Sequence, residues 1–427
     1  MRKGLVLVVG CLLVLAVPAV ASSFLHGPYS GAPCADGVTI SWRCQTPSLA
    51  RVEYGLRDQY ESTGDLPFMI DTPAAEDDED TTHVTVSGLE PNAAYVYRVV
   101  LVSGESEVAS TMGSFVTEPG PGDPVSFIVL ADTQQQLGGI SRLRLVGDAI
   151  ASDDLNYDFV LHGGDVVESP VGPYWDDWFE SFHDMLLRAP FIPVLGNHER
   201  NDRSYYETFT LPPGAGLHGR RWWALHWGDV VVVGLDTNVN KPADYYAQQD
   251  WAAEHLSGDE QHKFVIFHHP VFSSDEYYGT GYHYDIIFHP IFVEHGVDIV
   301  FNGHSHHYEH IVRDGITYLV VGGGGATPRE TTPIHIQGSD ISVEGHFFYV
   351  RVETSPQAID VECVSVAEEV DGSPVLTPGE LLDRFSLSTR EQDSAENAPA
   401  SLSLAIWLAL GGISAALIAF LLRSLGC

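Results

Sequence analysis

Lysine is almost absent: Lys3, Lys241 and Lys263 are the only three in 427 residues, and with 21 Lys plus Arg against 58 Asp plus Glu the formal charge is −37. A nucleic-acid-binding face needs clustered basic residues to neutralise phosphates, so that class of function is excluded. Cysteine is scarce too. Of five, Cys34, Cys44 and Cys363 lie between the two apolar ends of the chain, and an odd number builds no disulfide framework. Cys34 and Cys44 bracket a turn at Ala35-Asp36-Gly37 and a strand over 38–43, so a hairpin would hold them about 20 Å apart, beyond disulfide reach. The same scarcity excludes a structural zinc finger or an iron–sulfur cluster. Apolar residues are nonetheless 44% and charged ones 19%, a composition that folds. The acidity reads as a solvated, self-repelling surface. The run Glu76-Asp77-Asp78-Glu79-Asp80 lacks the alternating ligands and the glycine of a calcium loop.

Long apolar runs occur only at the ends. Met1-Arg2-Lys3, an apolar stretch over 5–17 and Ala19-Val20-Ala21 follow the order of a secretory signal cleaved after Ala21. Residues 402–422 carry no charge, and at ~1.5 Å per residue they reach roughly 31 Å, enough to cross a bilayer as a helix. Arg423 behind them favours a cytoplasmic C-terminus. The expectation is an exported protein, anchored at the cell surface by a transmembrane helix over 401–423 after a linker over 389–400.

Between those ends two patterns follow one another. Over 22–118, alternation such as Val38-Thr39-Ile40-Ser41-Trp42 and Tyr95-Val96-Tyr97-Arg98-Val99 between Gly and Pro turns, with no helical period, predicts a β-sandwich. Gly88-Leu89-Glu90-Pro91 and the closing Ser114-Phe115-Val116-Thr117 resemble a fibronectin type III domain. After Glu118-Pro119-Gly120-Pro121-Gly122-Asp123-Pro124, a second domain over 123–388 alternates buried strands with helices. Strands are expected at 125–130, 158–162, 191–195, 230–235, 264–267, 297–301, 316–321, 347–352 and 358–364. Helices are expected at 141–150, 174–187, 244–256 and 286–295. Strands joined by helical crossovers imply a layered α/β core.

Apolar strands there end in metal-ligating side chains: Asp132, Asp165 after Gly163-Gly164, Asn197-His198-Glu199 after Gly196, His268-His269 before Pro270, and His304 and His306 in Asn302-Gly303-His304-Ser305-His306. The carboxyl ends of strands in an α/β sheet line one crevice, so these five termini are expected to converge. Carboxylate, amide oxygen and imidazole together suit Fe, Zn or Mn. There are too many ligands for one tetrahedral ion. Two ions about 4 Å apart, sharing a carboxylate, clamp an in-line displacement at phosphorus and supply the local positive potential that a −37 chain otherwise lacks.

Asp132, Gly164-Asp165, Gly196-Asn197-His198-Glu199, His268 and Gly303-His304-Ser305-His306 resemble the ordered motifs of the calcineurin-like metallophosphoesterases, and specifically of the purple acid phosphatases. The likeness spans about residues 24–388. It implies a four-layer α/β/β/α domain, with one metal on Asp132, Asp165 and His306 and a second on Asp165, Asn197, His268 and His304. By the same resemblance His198 contacts the substrate phosphate, and His283 is the candidate acid for the leaving alkoxide. Two departures stand out. Glu168 occupies the place of the purple members' tyrosine ligand, either ligating in its stead or pointing to water. Without that phenolate no tyrosinate-to-iron band arises, and the protein is expected to be colourless. Gln134 stands where many relatives have a histidine ligand, and its amide oxygen is a candidate extra ligand.

Phosphate monoester hydrolysis by in-line attack of a metal-bound hydroxide is the reading that follows, with a small-molecule phosphate ester as substrate. A phosphodiesterase or nucleotidase uses the same scaffold. A non-catalytic adhesion protein is the alternative from a different class, and the intact ligand set argues against it. Gly322-Gly323-Gly324-Gly325 lacks the Lys-Ser/Thr ending of a phosphate loop. Tyr277, Tyr278, Trp222 and Trp223 either line the pocket or pack.

Overall fold

The computed structural model describes residues 23–389 apart from 77–80, 104–105, 138–139, 240, 278 and 281–282. The expected signal segment, the linker beyond 389, the apolar run over 402–422, most of the acidic run and Tyr278 therefore lie outside the described residues. Among the described residues no helix is long and apolar enough to cross a membrane.

Eight strands open the chain: β1 (Phe24–Cys34), β2 (Gly37–Cys44), β3 (Leu49–Leu56), β4 (Phe68–Thr72), β5 (Thr82–Val86), β6 (Ala94–Ser103), β7 (Ser106–Ala109) and β8 (Gly113–Val116). They form a three-stranded sheet, β1-β2-β5, and a five-stranded one in which β4-β3-β6-β7 run side by side and β8 pairs with β6. Alternate residues of both sheets, among them Ile40, Trp42, Val52, Tyr97, Val99 and Phe115, close on one apolar core, as period-two alternation dictates. The register pairs Phe24 with Cys44 and Cys34 with Gly37, so Cys34 and Cys44 sit at opposite ends of the hairpin and form no disulfide with each other. One expectation fails here: α1 (Arg57–Thr63) is a helix with no buried residue, and with nothing to bury it has no apolar period to read.

The second part contains β9 (Ser126–Leu130), β10 (Phe159–His162), β11 (Phe191–Pro193), β12 (Gly214–Ala215), β13 (Trp222–Trp227), β14 (Val230–Gly234), β15 (His262–Phe267), β16 (Ile299–Asn302), β17 (Tyr308–Arg313), β18 (Ile316–Val321), β19 (Ser339–Val343), β20 (His346–Ser355), β21 (Ala358–Val370), β22 (Ser373–Leu376) and β23 (Leu381–Ser388). Its helices are α2 (Ile140–Ala151), α3 (Gly172–Leu186), α4 (Arg203–Thr208), α5 (Pro242–Leu256), α6 (Tyr284–Ile287) and α7 (His289–Glu294). Two sheets result, ordered β11-β10-β9-β20-β21-β22 with β23 on β21, and β12-β13-β14-β15-β16-β18-β17-β19. The triad β11, β10, β9 and the run β14, β15, β16, β18 are parallel inside.

Side-chain alternation sets the layers. Val230 and Val232 face the other sheet and share a core with Phe127 and Phe159, while Val231 and Val233 face α5 and α7 through Ala252, Leu256 and Phe292. Phe127 meets Phe264 edge-on at 5.2 Å across the gap between the sheets. On the far side of the first sheet, Trp175, Trp178, Phe179, Phe182, Met185 and Leu186 recur at helical spacing and form the buried stripe of α3. The order of layers is α/β/β/α.

Three sequence expectations need correction. The ligand-bearing termini converge, but from two sheets and not from one: β9, β10 and β11 in the first, β15 and β16 in the second. The helix expected at 286–295 is broken into α6 and α7 at Phe288, where Pro290 in the first turn of α7 has no N–H with which to continue the ladder. Trp222 and Trp223 lie on a strand that was not expected; both are buried, on opposite faces of the sheet, and the Trp223 indole donates to the Pro193 carbonyl at 3.1 Å. They pack. The sandwich rests on α3 and α4: His26 Nε2 bonds the Asp176 carboxylate at 2.6 Å and stacks on Phe179, and the Tyr29 hydroxyl donates to the Thr208 carbonyl.

Candidate metal centre

Three of the ligand-bearing strands lead into a left-handed ligand residue. Asp132, Asp165 and His304 all have positive φ, at 60°, 55° and 68°. For residues with a Cβ this conformation is held only where the surroundings over-determine it. Here they do: Asp132 N–H donates to the Gly164 carbonyl, Thr133 N–H to the Asp165 carbonyl, and His304 N–H to Asp132 Oδ2 at 2.8 Å. Close approach also dictates the glycines. A Cβ on Gly196 would lie 2.0 Å from Asp165 Oδ1, and one on Gly303 would lie 2.7 Å from Asp132 Oδ2.

The imidazoles are aimed by the backbone. His268 Nδ1 donates to the Gly163 carbonyl at 2.9 Å, which leaves its Nε2 lone pair for the site. That Nε2 stands 3.1 Å from Asp165 Oδ2, 3.1 Å from Asn197 Oδ1 and 3.2 Å from His304 Nδ1. His306 Nδ1 likewise donates to the Thr327 carbonyl at 2.8 Å, and its Nε2 lies 3.5 Å from Asp132 Oδ1. Two sets of ligand atoms fall within 4.8 Å of one another, Asp132, Asp165 and His268, and His268, His269 and His304, all buried. Among the described residues the buried Asp132 Oδ1 and Gln134 Oε1 have no hydrogen-bond partner, a cost of ~1–3 kcal/mol each that a cation would remove. Inward lone pairs, orphaned oxygens and a mixed N/O donor set fit metal ions.

Charge is tightly coupled there. Burial alone would raise the Asp165 carboxyl, but the charge and hydrogen bond of His268 prevail and hold it below the usual range. His268 in turn is pushed up to about 9: burial opposes this, and the Asp165 carboxylate outweighs it. Burial and the neighbouring His268 charge push His304 down, and His269 down to about 3.

The other expected residues fall in different places. His198 N–H donates to Asp165 Oδ1 at 2.8 Å and its Nδ1 to the Glu168 carbonyl at 2.9 Å, which leaves Nε2 at 3.9 Å from Asp165 Oδ2. Glu168 is turned neither to Asp132 nor to Asp165: one oxygen accepts from Gln136 at 2.7 Å and the other lies 3.6 Å from His198 Nδ1. Gln134 presents its amide nitrogen to His306 Nε2 at 3.1 Å. His283 is exposed at the head of α6, with φ 62°, and its described contacts are backbone bonds within that turn. Tyr277 is 82% exposed.

Three residues to which the sequence assigns no individual role support the site. Glu199 is fully buried and its carboxylate accepts three backbone N–H groups, from Gly196, Asp165 and Val167. Its position beside His198 was the available signal. His162, inside β10, accepts from Gly164 N–H and bonds Thr133, so it supports the bridge loop from within a strand. His269 lies with its ring 4.4 Å from that of His304 and is held by Thr237 Oγ1 at 2.7 Å.

Comparison with known proteins agrees with this geometry. Residues 125–308 match the model of the calcineurin-like phosphoesterase family. Purple acid phosphatase 1 of Ipomoea batatas is 27% identical over 284 residues, covering 60% of this chain and 58% of that protein. The phosphoenolpyruvate phosphatase of Allium cepa is 25% identical over 283 residues, covering 60% and 56%. The chain thus spans somewhat over half the length of these curated relatives. Among solved structures, a purple acid phosphatase from yellow lupin seeds superposes on 84% of this chain and 74% of its own, with a TM-score of 0.66 at 18% identity. PhoD superposes on 84% and 89% with a TM-score of 0.63 at 13% identity. These two likenesses are of fold. The matched family is one of phosphoesterases, and these relatives are phosphatases.

Proposed function

We propose that this protein is an exported phosphatase, anchored in the membrane by residues 401–423, that hydrolyses small-molecule phosphate monoesters at a pair of metal ions. The observation that carries the reading is the convergence of Asp165 Oδ2, Asn197 Oδ1 and His304 Nδ1 within 3.2 Å of His268 Nε2, all at strand ends. In this reading Asp132, Asp165 and His306 hold one ion and Asp165, Asn197, His268 and His304 the other. The purple acid phosphatase relatives imply such a dinuclear centre. Ions of Fe, Zn or Mn there supply Lewis acidity and a water activated near neutral pH. The chain's own residues position the rest. His198, whose pKa is raised because the Asp165 carboxylate outweighs its burial, offers an N–H to a phosphate oxygen. Glu168 orients it through its carbonyl. The N-terminal sandwich serves as a fibronectin type III-like module braced against α3.

Hydrolysis of p-nitrophenyl phosphate and of its bis ester, after reconstitution with Fe, Zn or Mn, tests the reading. Turnover of the monoester, lost on chelation and restored by metal, is the expected result. Preference for the bis ester makes the protein a phosphodiesterase. No hydrolysis of either overturns the enzyme reading.

A further inference from the structure

A cleft of about 680 Å³ is lined, among the described residues, by Asp275, Glu276, Tyr277, Arg329 and Glu330. Its walls are tied to the metal-binding loop. Arg329 N–H donates to the His306 carbonyl at 3.0 Å, Ala326 N–H to the Asp132 carbonyl at 3.0 Å, and Thr327 takes the His306 Nδ1 proton. Across the cleft, Ser273 Oγ donates to Ser305 Oγ, and Ser274 is held by the Glu309 carboxylate through both its N–H and its hydroxyl, at 2.7 and 2.6 Å. Asp275 pairs with Thr331, and Glu276 N–H reaches the Glu330 carbonyl, so the two walls are joined to each other as well. His306, whose carbonyl accepts the Arg329 N–H, has its Nε2 3.5 Å from the buried Asp132 Oδ1 and 3.1 Å from the Gln134 amide nitrogen.

The lining charges are unequal: the exposed Glu276 and Glu330 and the buried Asp275, whose carboxylate accepts the Tyr277 N–H at 2.8 Å, stand against the one guanidinium of Arg329, and the Tyr277 ring is exposed. Arg329 is the residue bonded to a metal-binding loop, whereas the carboxylates and the ring belong to the remainder of the cleft. A space of this volume takes a small organic group. Carboxylates and an exposed ring attract ammonium groups and repel carboxylate or phosphate groups.

Building on the phosphatase reading, we propose that this cleft receives the alcohol part of the ester and selects it by charge. It admits cationic and uncharged leaving groups and rejects anionic ones, with Arg329 at the phosphate end. The substrates are then phosphate esters of amino or quaternary-ammonium alcohols rather than of hydroxy acids.

The test compares kcat/KM of the metal-loaded full-length protein for phosphocholine, glycerol 3-phosphate and 3-phosphoglycerate. The expected order is cationic, then neutral, then anionic, with about tenfold between the first and last at low salt and less at high salt. Exposed Glu276 and Glu330 can be changed without disturbing the core. Glu276→Gln combined with Glu330→Gln narrows the cationic-to-anionic ratio, while Arg329→Gln raises KM for all three esters. A ratio near one in the wild type, or one that the double variant leaves unchanged, overturns the inference while leaving the phosphatase reading standing. Hydrolysis of none of the three esters, nor of p-nitrophenyl phosphate, overturns both.

Discussion

Glu199 Oε2 accepts the backbone N–H of Asp165 at 3.1 Å, so the carboxylate proposed to bridge two metals is held in place by a second, fully buried carboxylate. The same side chain takes the N–H groups of Gly196 and Val167 and thereby fastens the loop after β10 to the loop after β11. Burial, and then the Asp165 charge, push Glu199 up to about 7. Two like charges side by side are costly, and cations between the loops offset that cost.

Glu199→Ala is therefore expected to leave three buried N–H groups without acceptors, at ~1–3 kcal/mol each. Thermal unfolding should show a Tm lowered by several degrees, and metal affinity should fall with it. Glu199→Gln, which keeps one acceptor oxygen, should lose less. A Glu199→Ala protein as stable as the parent would show that the clamp carries no strain from the loops.

Asp165→Asn is expected to abolish turnover, by roughly a thousandfold or more, because one metal position loses its shared ligand. The fold should remain, as the N–H of His198 still finds an oxygen at Asn. Circular dichroism together with p-nitrophenyl phosphate hydrolysis checks both halves; substantial residual activity would count against a metal-centred reaction.

Iron-loaded protein is expected to be colourless. Glu168 offers no phenolate, and its carboxylate is engaged with Gln136 and His198. A visible absorbance spectrum decides, and a tyrosinate-like charge-transfer band would mean that another tyrosine reaches the metal.

Asp158, at the entry to β10, exchanges hydrogen bonds with Ser126, and burial pushes its carboxyl up to about 7. Folded, it keeps its proton up to that pH; unfolded, it loses it near 3.8. The unfolded state thus holds fewer protons between those values, so stability falls as pH rises through this window and the loss is complete above it. Asp158→Asn removes the dependence. Its Tm should exceed that of the parent by more at pH 8 than at pH 4, an effect of about 2 kcal/mol given the side chain's partial exposure. Equal differences at the two values would place the titration elsewhere.

Most of this centre was legible in the sequence because an apolar strand that ends in glycine and a ligating side chain is a local pattern. Asp132, Asp165, Asn197, His268, His304 and His306 are candidates read that way, and the structure brings their ligand atoms close together. Long-range packing hid the rest. That the termini belong to two sheets depends on which side chains of β9 and β14 face each other, as with Phe127 and Phe264. α1 has no apolar face to announce it, and Pro290 breaks a helix whose period looked continuous. His283, placed by the resemblance alone, is exposed at the N-cap of α6. The cleft walls at 273–277 and 326–330 are joined largely through backbone hydrogen bonds, which leave no trace in residue type.

Metal stoichiometry is the most direct test of the central claim. Mass-spectrometric metal analysis of the purified protein after loading and desalting is expected to find two ions per chain in the wild type and fewer in Asp165→Asn. One ion or none in the wild type, or two retained by Asp165→Asn, would contradict a dinuclear centre bridged by that residue.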